Sequence, residues 1–231
     1  MISMRVGPAT PAEFDVVLPV CVEAFADEAV SAWVEPAPER RLDRTRELFA
    51  TSLRAAIDAG QLLVAWTDAG EPVAASIWRV LDGAPTADVA PAADRAPEAD
   101  RAPAADRAPE ADSAGAPTSG TDSVSAVLAT RRLAAVLVAT SARHPDVPHV
   151  YLSAMATLPR RRGLGAGSAM LRHGIALARA RGLPVYLEAS TRQNQRLYAR
   201  QGFRAHGAPL PLPESGPTLQ PMWLERVVHR S

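Results

Sequence analysis

Arg160-Arg161-Arg162-Gly163-Leu164-Gly165-Ala166-Gly167-Ser168-Ala169-Met170-Leu171 is the stretch on which the fold of this 231-residue chain turns. The segment before it, His149 to Thr157, has the character of a strand. The segment after it, Ser168 to Arg181, carries Leu171, Ile175 and Ala178 at helical spacing and meets the stop signals Gly182 and Pro184. Strand, glycine loop and helix in that order make an anion site. The first helical turn has unpaired N–H groups and the positive end of the dipole, and glycines let a pyrophosphate approach the backbone.

Two familiar uses of such a loop do not fit. The dinucleotide fingerprint needs a third Gly or Ala at a fixed offset, where this chain has Ser168 or Met170, depending on the glycine counted from. A Walker loop needs a lysine, and the chain has none. What fits is Arg-x-x-Gly-x-Gly, filled by Arg162-Gly163-Leu164-Gly165-Ala166-Gly167 and followed by Ser168. This run resembles the acetyl-CoA loop of the GCN5-related N-acetyltransferases (GNATs). A second frame starting at Arg160 also matches, but it starts the helix two residues earlier, and the expected start at Ser168 favours the Arg162 frame.

A second signal lies about 30 residues downstream, beyond a strand over Leu183 to Ser190. Asn194-Gln195-Arg196-Leu197-Tyr198-Ala199-Arg200-Gln201-Gly202-Phe203 reads as a short helix closed by Gly202, with Asn194 and Tyr198 four apart on one face. It is similar to the second hallmark of the same family, in which the Asn helps to hold the cofactor and the Tyr sits by its sulfur. Alone, Tyr198 reads as a core tyrosine; after a matching glycine loop it reads as a site residue. Within the family the nearest likeness is to puromycin N-acetyltransferase and its relatives, carried in part by Tyr186-Leu187-Glu188-Ala189-Ser190.

The resemblance implies a mixed α/β (α+β) fold. Its central sheet has about seven mostly antiparallel strands, helices on both faces, and a splayed pair formed by the strand at 149–157 and the next one. It also implies acetyl-CoA as co-substrate and a small-molecule primary amine, an antibiotic or related metabolite among the candidates, as acceptor. The expected cofactor contacts are Arg162, Gly163, Leu164, Gly165, Ala166, Gly167, Ser168 and Asn194, with the backbone of Met155, Ala156 and Thr157 at the splay.

The candidate catalytic residues are Tyr198, a phenol able to donate to the leaving thiolate, and Glu188, a carboxylate inside an apolar strand. In a partly apolar setting Glu188 is a candidate base for the amine, directly or through water. A carboxylate paired with one of the many arginines is the equal alternative. A domain that binds acyl-CoA without catalysis, as a sensor or scaffold, is the competing functional class.

The remainder of the chain frames these signals. Formal charge is zero, which speaks against a nucleic-acid partner, with Arg160 to Arg162 the only basic run and read as phosphate-facing or solvated. Cys21 is the sole cysteine, so no internal disulfide can form, and its place on a helical face marks it as core. The five histidines lack ligand spacing, no metal is expected, and each reads as a surface or satisfied polar residue. No apolar run approaching a membrane span stands out, so a soluble cytoplasmic protein is expected.

Arg5 to Pro8 reads as a strand. Thr10-Pro11-Ala12-Glu13 reads as a capping box that opens a helix burying Phe14, Val17, Leu18, Cys21 and Phe25. Ala26 to Ala37, without periodicity, is a connector or a substrate-closing loop. A helix over Pro38 to Gly60 and a hairpin of Leu62–Thr67 and Pro72–Val80 follow. From Ala84 to Ser113 the pattern Ala-Pro-x-Ala-Asp-x repeats with period six, too poor in large apolar side chains to bury a core. Residues 82–122 are therefore read as a disordered insertion within a single domain spanning 4–230, followed by a helix over Val124 to Ala142.

Overall fold

The computed structural model describes residues 4–83 and 120–226. Met4–Pro8 (β1) leads to Thr10, whose N–H donates to the Glu13 carboxylate at 2.7 Å, and a 3-10 turn over Pro11–Glu13 feeds the helix Phe14–Phe25 (α1). The capping box thus does what its sequence implies, with proline where a free N–H would be surplus. Val17 and Cys21 are buried, and burial pushes the Cys21 thiol up to about 12, so it is core rather than nucleophile.

The stretch expected to lack structure between 26 and 37 instead contains a short helix, Ala29–Val34 (α2). Glu28 supplies its N-cap through a carboxylate, a capping residue that the apolar periodicity alone does not reveal. Pro38–Asp58 (α3) buries Leu53 and Ile57. Leu62–Thr67 (β2) and Pro72–Leu81 (β3) form the expected hairpin, with Gly70 at φ +76° in its turn.

After residues 84–119 comes Gly120–Ser141 (α4), which starts inside the stretch read as an insertion; most of that stretch lies outside the described residues. The residues from 124 to 141 are also long and apolar enough, by length and composition alone, to cross a membrane. That amends the expectation that no run approaches such a length. Within this helix, however, Arg131 and Arg132 both pair with Glu214.

His149–Thr157 (β4), Ala166–Ala180 (α5), Val185–Ala189 (β5), Arg192–Ala199 (α6), Arg204–Ala205 (β6), Leu210–Pro211 (β7) and Thr218–Leu224 (β8) complete the chain. Among the described residues the sheet has eight strands, in keeping with the expected number of about seven, in the order β1-β2-β3-β4-β5-β8-β6, with β7 on β8. β6 and β7, two residues each, are too short to leave a period-two signature.

Every pairing is antiparallel except β4 with β5, which run parallel and pair only at Val150↔Val185 and Tyr151↔Tyr186. Beyond that point β4 continues to Thr157 and β5 to Ala189 without pairing to each other, so the sheet opens into a V. Helices cover both faces. On one, Met170, Leu171, Ile175 and Ala178 of α5 pack on Val150, Leu187 and Trp78; on the other, Val17, Leu18, Leu53 and Ile57 pack on Val64, Ala75, Ile77 and Ala156.

Candidate active site

The glycine loop enters the site from a 3-10 turn over Pro159–Arg161. Arg161 N–H donates to the Leu158 carbonyl at 2.8 Å and Arg162 N–H to the Pro159 carbonyl at 3.2 Å; the backbone pattern resumes where Ala169 N–H meets the Gly165 carbonyl at 2.9 Å. The amides in between, from Gly163 to Ser168, are the surplus donors of a loop and a first helical turn. Gly163 at φ +78° and Gly165 at φ +95° give the backbone a course that other residues adopt only with strain.

Gly165 is the N-cap, so α5 starts at Ala166, two residues before the expected Ser168. That removes the reason for preferring the Arg162 frame. The two left-handed glycines are those of Arg160-Arg161-Arg162-Gly163-Leu164-Gly165, while Gly167 lies within the helix. There a Cβ would stand 3.4 Å from Leu197 Cδ2 and 3.8 Å from Met155 Cε, ordinary contact distances, so the packing of α5 beside α6 and β4 does not itself require glycine at 167.

Each arginine of the run has a protein partner. Arg160 bridges Glu23 at 3.1 Å and Glu71 at 3.0 Å, Arg161 also pairs with Glu71, and Arg162 Nη2 donates to the Ala24 carbonyl at 3.0 Å. They fasten the loop to the end of α1 and to the β2–β3 turn. An anion in this cradle would therefore be met chiefly by backbone amides, a donor set suited to a diphosphate.

Across the opening, Met155, Ala156 and Thr157 pair with Ser76, Ala75 and Ala74 of β3. Their other edge faces the gap left by β5. Thr191 caps α6 by accepting from Asn194 N–H at 3.1 Å, and Asn194 Nδ2 donates to Ser190 Oγ at 3.4 Å. One turn on, Tyr198 is buried with its ring edge-on to Phe203, centroids 5.9 Å apart. Burial, reinforced by the negative charge of Glu28, holds its phenol well above the usual tyrosine range, so it stays protonated at neutral pH.

Glu188 accepts a hydrogen bond from the Tyr151 hydroxyl at 2.9 Å, and no arginine pairs with it among the described residues. Burial raises its pKa to about 7 against the opposing effect of that hydrogen bond. Tyr186 lies close enough to feel the Glu188 charge, although neither its hydroxyl nor Glu188 Oε1 makes a hydrogen bond.

Beneath this group His149 Nδ1 lies 2.8 Å from the Val147 carbonyl, so that nitrogen carries the proton; His149 Nε2 then accepts from His144 Nδ1 at 3.2 Å. Burial lowers the pKa of both rings, that of His144 to about 4, so both are neutral and satisfied. Among the described residues no three His, Cys, Asp or Glu side chains gather as a metal site.

Sequence reasoning found Glu188 but not Tyr151. The parallel register that sets Tyr151 beside Tyr186 has no local signature, although both tyrosines sit on alternating strands. Glu28 was also missed as the N-cap of α2, its one signal being an acidic residue just before a largely apolar hexapeptide.

Residues 92–203 match the model of the acetyltransferase (GNAT) family, a span that takes in the glycine loop, Glu188, Asn194 and Tyr198. No curated protein sequence matches the chain. Among solved structures, one from Corynebacterium glutamicum, described as histone acetyltransferase HPA2 and related acetyltransferase, is similar over 100% of both chains, with 27% identity and a TM-score of 0.62. A Drosophila melanogaster polyamine N-acetyltransferase that catalyses the formation of N-acetylagmatine is similar over 96% of this chain and 100% of that one, at 16% identity and a TM-score of 0.59. Arylalkylamine N-acetyltransferase 2 of Aedes aegypti follows at 14% identity, 96% and 98% coverage and a TM-score of 0.58. The last two likenesses speak for the fold.

Proposed function

We propose that this chain, whose residues 92–203 match the acetyltransferase (GNAT) family model, is an acyltransferase that moves the acetyl group of acetyl-CoA directly to a primary amine of a small molecule. The observation that carries this reading is the sheet opening beyond Tyr151↔Tyr186. The start of α5 lies against β4 beyond it, with Gly167 beside Met155 and Thr157, and Glu188 belongs to the strand that has parted.

The amides of Gly163 to Ser168 would hold the diphosphate of the co-substrate, with Asn194 beside them, and the β4 edge at Met155, Ala156 and Thr157 would face its pantetheine arm and thioester carbonyl. Acetyl-CoA supplies an acetyl thioester, activated for attack by an amine. Glu188 takes the proton that the amine must lose, directly or through water, and its raised pKa suits that task near neutrality. As the C–N bond forms and the C–S bond breaks, the Tyr198 hydroxyl gives its proton to the departing thiolate and regains one from solvent. No covalent enzyme intermediate is needed.

The names of the similar structures, with the likeness to puromycin N-acetyltransferase, define the acceptor panel: polyamines, arylalkylamines and amine-bearing antibiotics. The purified protein is incubated with acetyl-CoA and each acceptor while free thiol is followed. Acceptor-dependent thiol release is expected. Tight acetyl-CoA binding without release across the panel would favour a binding module instead.

A further inference from the structure

The chain is neutral as a whole, yet its charges are unevenly placed. From residue 158 to residue 213 it carries ten arginines and a single acidic residue, Glu188, whose carboxylate is occupied by Tyr151. Three of those arginines, Arg160, Arg161 and Arg162, are held by Glu23, Glu71 and the Ala24 carbonyl. Six of the others gather on two helices. Arg172 and Arg179 point outward from α5, opposite the side that packs on the sheet, and Arg181 follows at its end. Arg192, Arg196 and Arg200 recur every four residues along α6, on the side turned away from buried Tyr198. Leu197 lies beside Gly167, so the two helices cover the same side of the sheet and their arginines share one surface.

All six are exposed, and among the described residues none has a carboxylate within ion-pair distance. Like charges four apart on a helix repel, so the eight residues of α6 are set against their own stability unless an anion covers them. The same chain holds the complementary charge. Residues 84–119, outside the described residues, contain seven acidic residues against three arginines, with Asp88, Asp94, Asp100, Asp106 and Asp112 at every sixth position. Too poor in large apolar side chains to bury a core, this repeat has charge to offer instead. It departs from the fold beside the basic surface: Val80, near the end of β3, lines one cleft with Leu177, Ala178 and Arg181 at the end of α5. A segment of this length, at about 3.3 Å per residue, can pass along the whole of α5, about 22 Å, and still reach the start of α4.

We propose that the arginine surface of α5 and α6 is a docking site for the acidic repeat of the same chain, residues 84–119. The inference goes beyond the acyl-transfer reading and does not depend on it. A guanidinium meets a carboxylate through paired N–H donors, and clusters of arginine are readers of acidic segments. Each exposed pair contributes little, but a tethered segment meets the surface at high effective concentration, so the pairs act together. The contact is ionic and therefore weakened by salt. With the repeat in place the surface is neutralised and does not collect outside polyanions.

Trypsin supplies the test, because the repeat carries its own cleavage points at Arg95, Arg101 and Arg107. Fragments cut at these positions are timed by mass spectrometry in about 50 mM and about 500 mM salt, with trypsin calibrated on a small substrate in each. In the wild-type chain, cleavage is expected to be about tenfold or more slower at the lower salt. The triple substitution Arg192→Gln, Arg196→Gln and Arg200→Gln, checked for folding by circular dichroism, is expected to lose that protection. Equal rates in wild type and variant at low salt, or a wild-type rate that ignores salt, overturn the proposal. The second of these outcomes needs no variant, so it decides the matter even if the triple substitution does not fold. Protection that fades as the protein is diluted places the repeat on a second copy and overturns the assignment to its own chain. Retention of the wild type on heparin at physiological salt means that the surface is open to outside polyanions, and overturns it as well.

Discussion

Replacing Glu188 with Gln removes a titration that the fold has displaced. Burial lifts this carboxyl from 4.5 to about 7, so between those values it is neutral in the folded protein and ionised in the unfolded chain. A folded pKa above the unfolded one means that its contribution to stability is complete below pH 4.5 and is lost as pH rises through about 7. At about 1.4 kcal/mol for each tenfold change in proton affinity, the displacement amounts to at most about 3 kcal/mol at pH 8. Gln stays neutral throughout and can still accept the Tyr151 hydroxyl. Urea melts across a pH series should therefore show Glu188→Gln gaining on wild type by about 1–3 kcal/mol between pH 4.5 and pH 8. Turnover should move the other way: the wild-type rate falls as pH drops below about 7, whereas the variant is slow and lacks that acidic limb. A stability difference that does not change with pH, or an acidic limb that survives in the variant, would refute the reasoning from burial to base.

Three further substitutions address the remaining parts of the site and fold. Tyr198→Phe should lower turnover by about 10² to 10⁴ while leaving acetyl-CoA affinity within about twofold, read by steady-state kinetics and calorimetry; an unchanged rate removes the phenol from the mechanism. Gly165→Ala forces a side chain onto a residue at φ +95° and should cost about 1–2 kcal/mol in a melt, with weaker acetyl-CoA binding as the cradle shifts. Gly174→Ala places a Cβ 2.1 Å from Trp78 Cζ2, so α5 must move off the sheet, at about 1–3 kcal/mol in the same melt. A neutral result there would mean that Trp78 can turn aside.

The parts of this protein legible in its sequence are those whose signals are local. Thr10 with Glu13, the glycine turn between β2 and β3, the span of β4 and Gly202 just beyond α6 all act within a few positions, and each is read where it occurs. The start of α5 was misplaced because three glycines at spacing two are equivalent on paper; only φ separates Gly163 and Gly165, which turn the chain, from Gly167, which lies within the helix. The partners of the loop arginines, Glu23 and Glu71, are not legible locally because they lie about ninety residues or more upstream. Glu28 escaped for a related reason. A carboxylate capping a six-residue helix has a small signature, and its relation to Tyr198 exists only in three dimensions.

The hydrogen bond between Tyr151 and Glu188 joins the last paired residue of β4 to the part of β5 that has already parted. It holds the carboxylate in the opening, and it also opposes burial by favouring the charged form. Tyr151→Phe keeps the ring that packs edge-on against His144, with centroids 4.4 Å apart, and deletes only the hydroxyl. Burial then acts on Glu188 with less opposition, so its pKa should rise. A hydrogen bond to a charged group is worth about 1.5–3 kcal/mol, which moves the acidic limb of turnover upward by about one pH unit or more. The rate at high pH, where Glu188 is ionised in either protein, should change far less than the rate at pH 7. If the limb stays in place while the rate drops equally at every pH, Tyr151 serves the shape of the opening and not the proton affinity of Glu188.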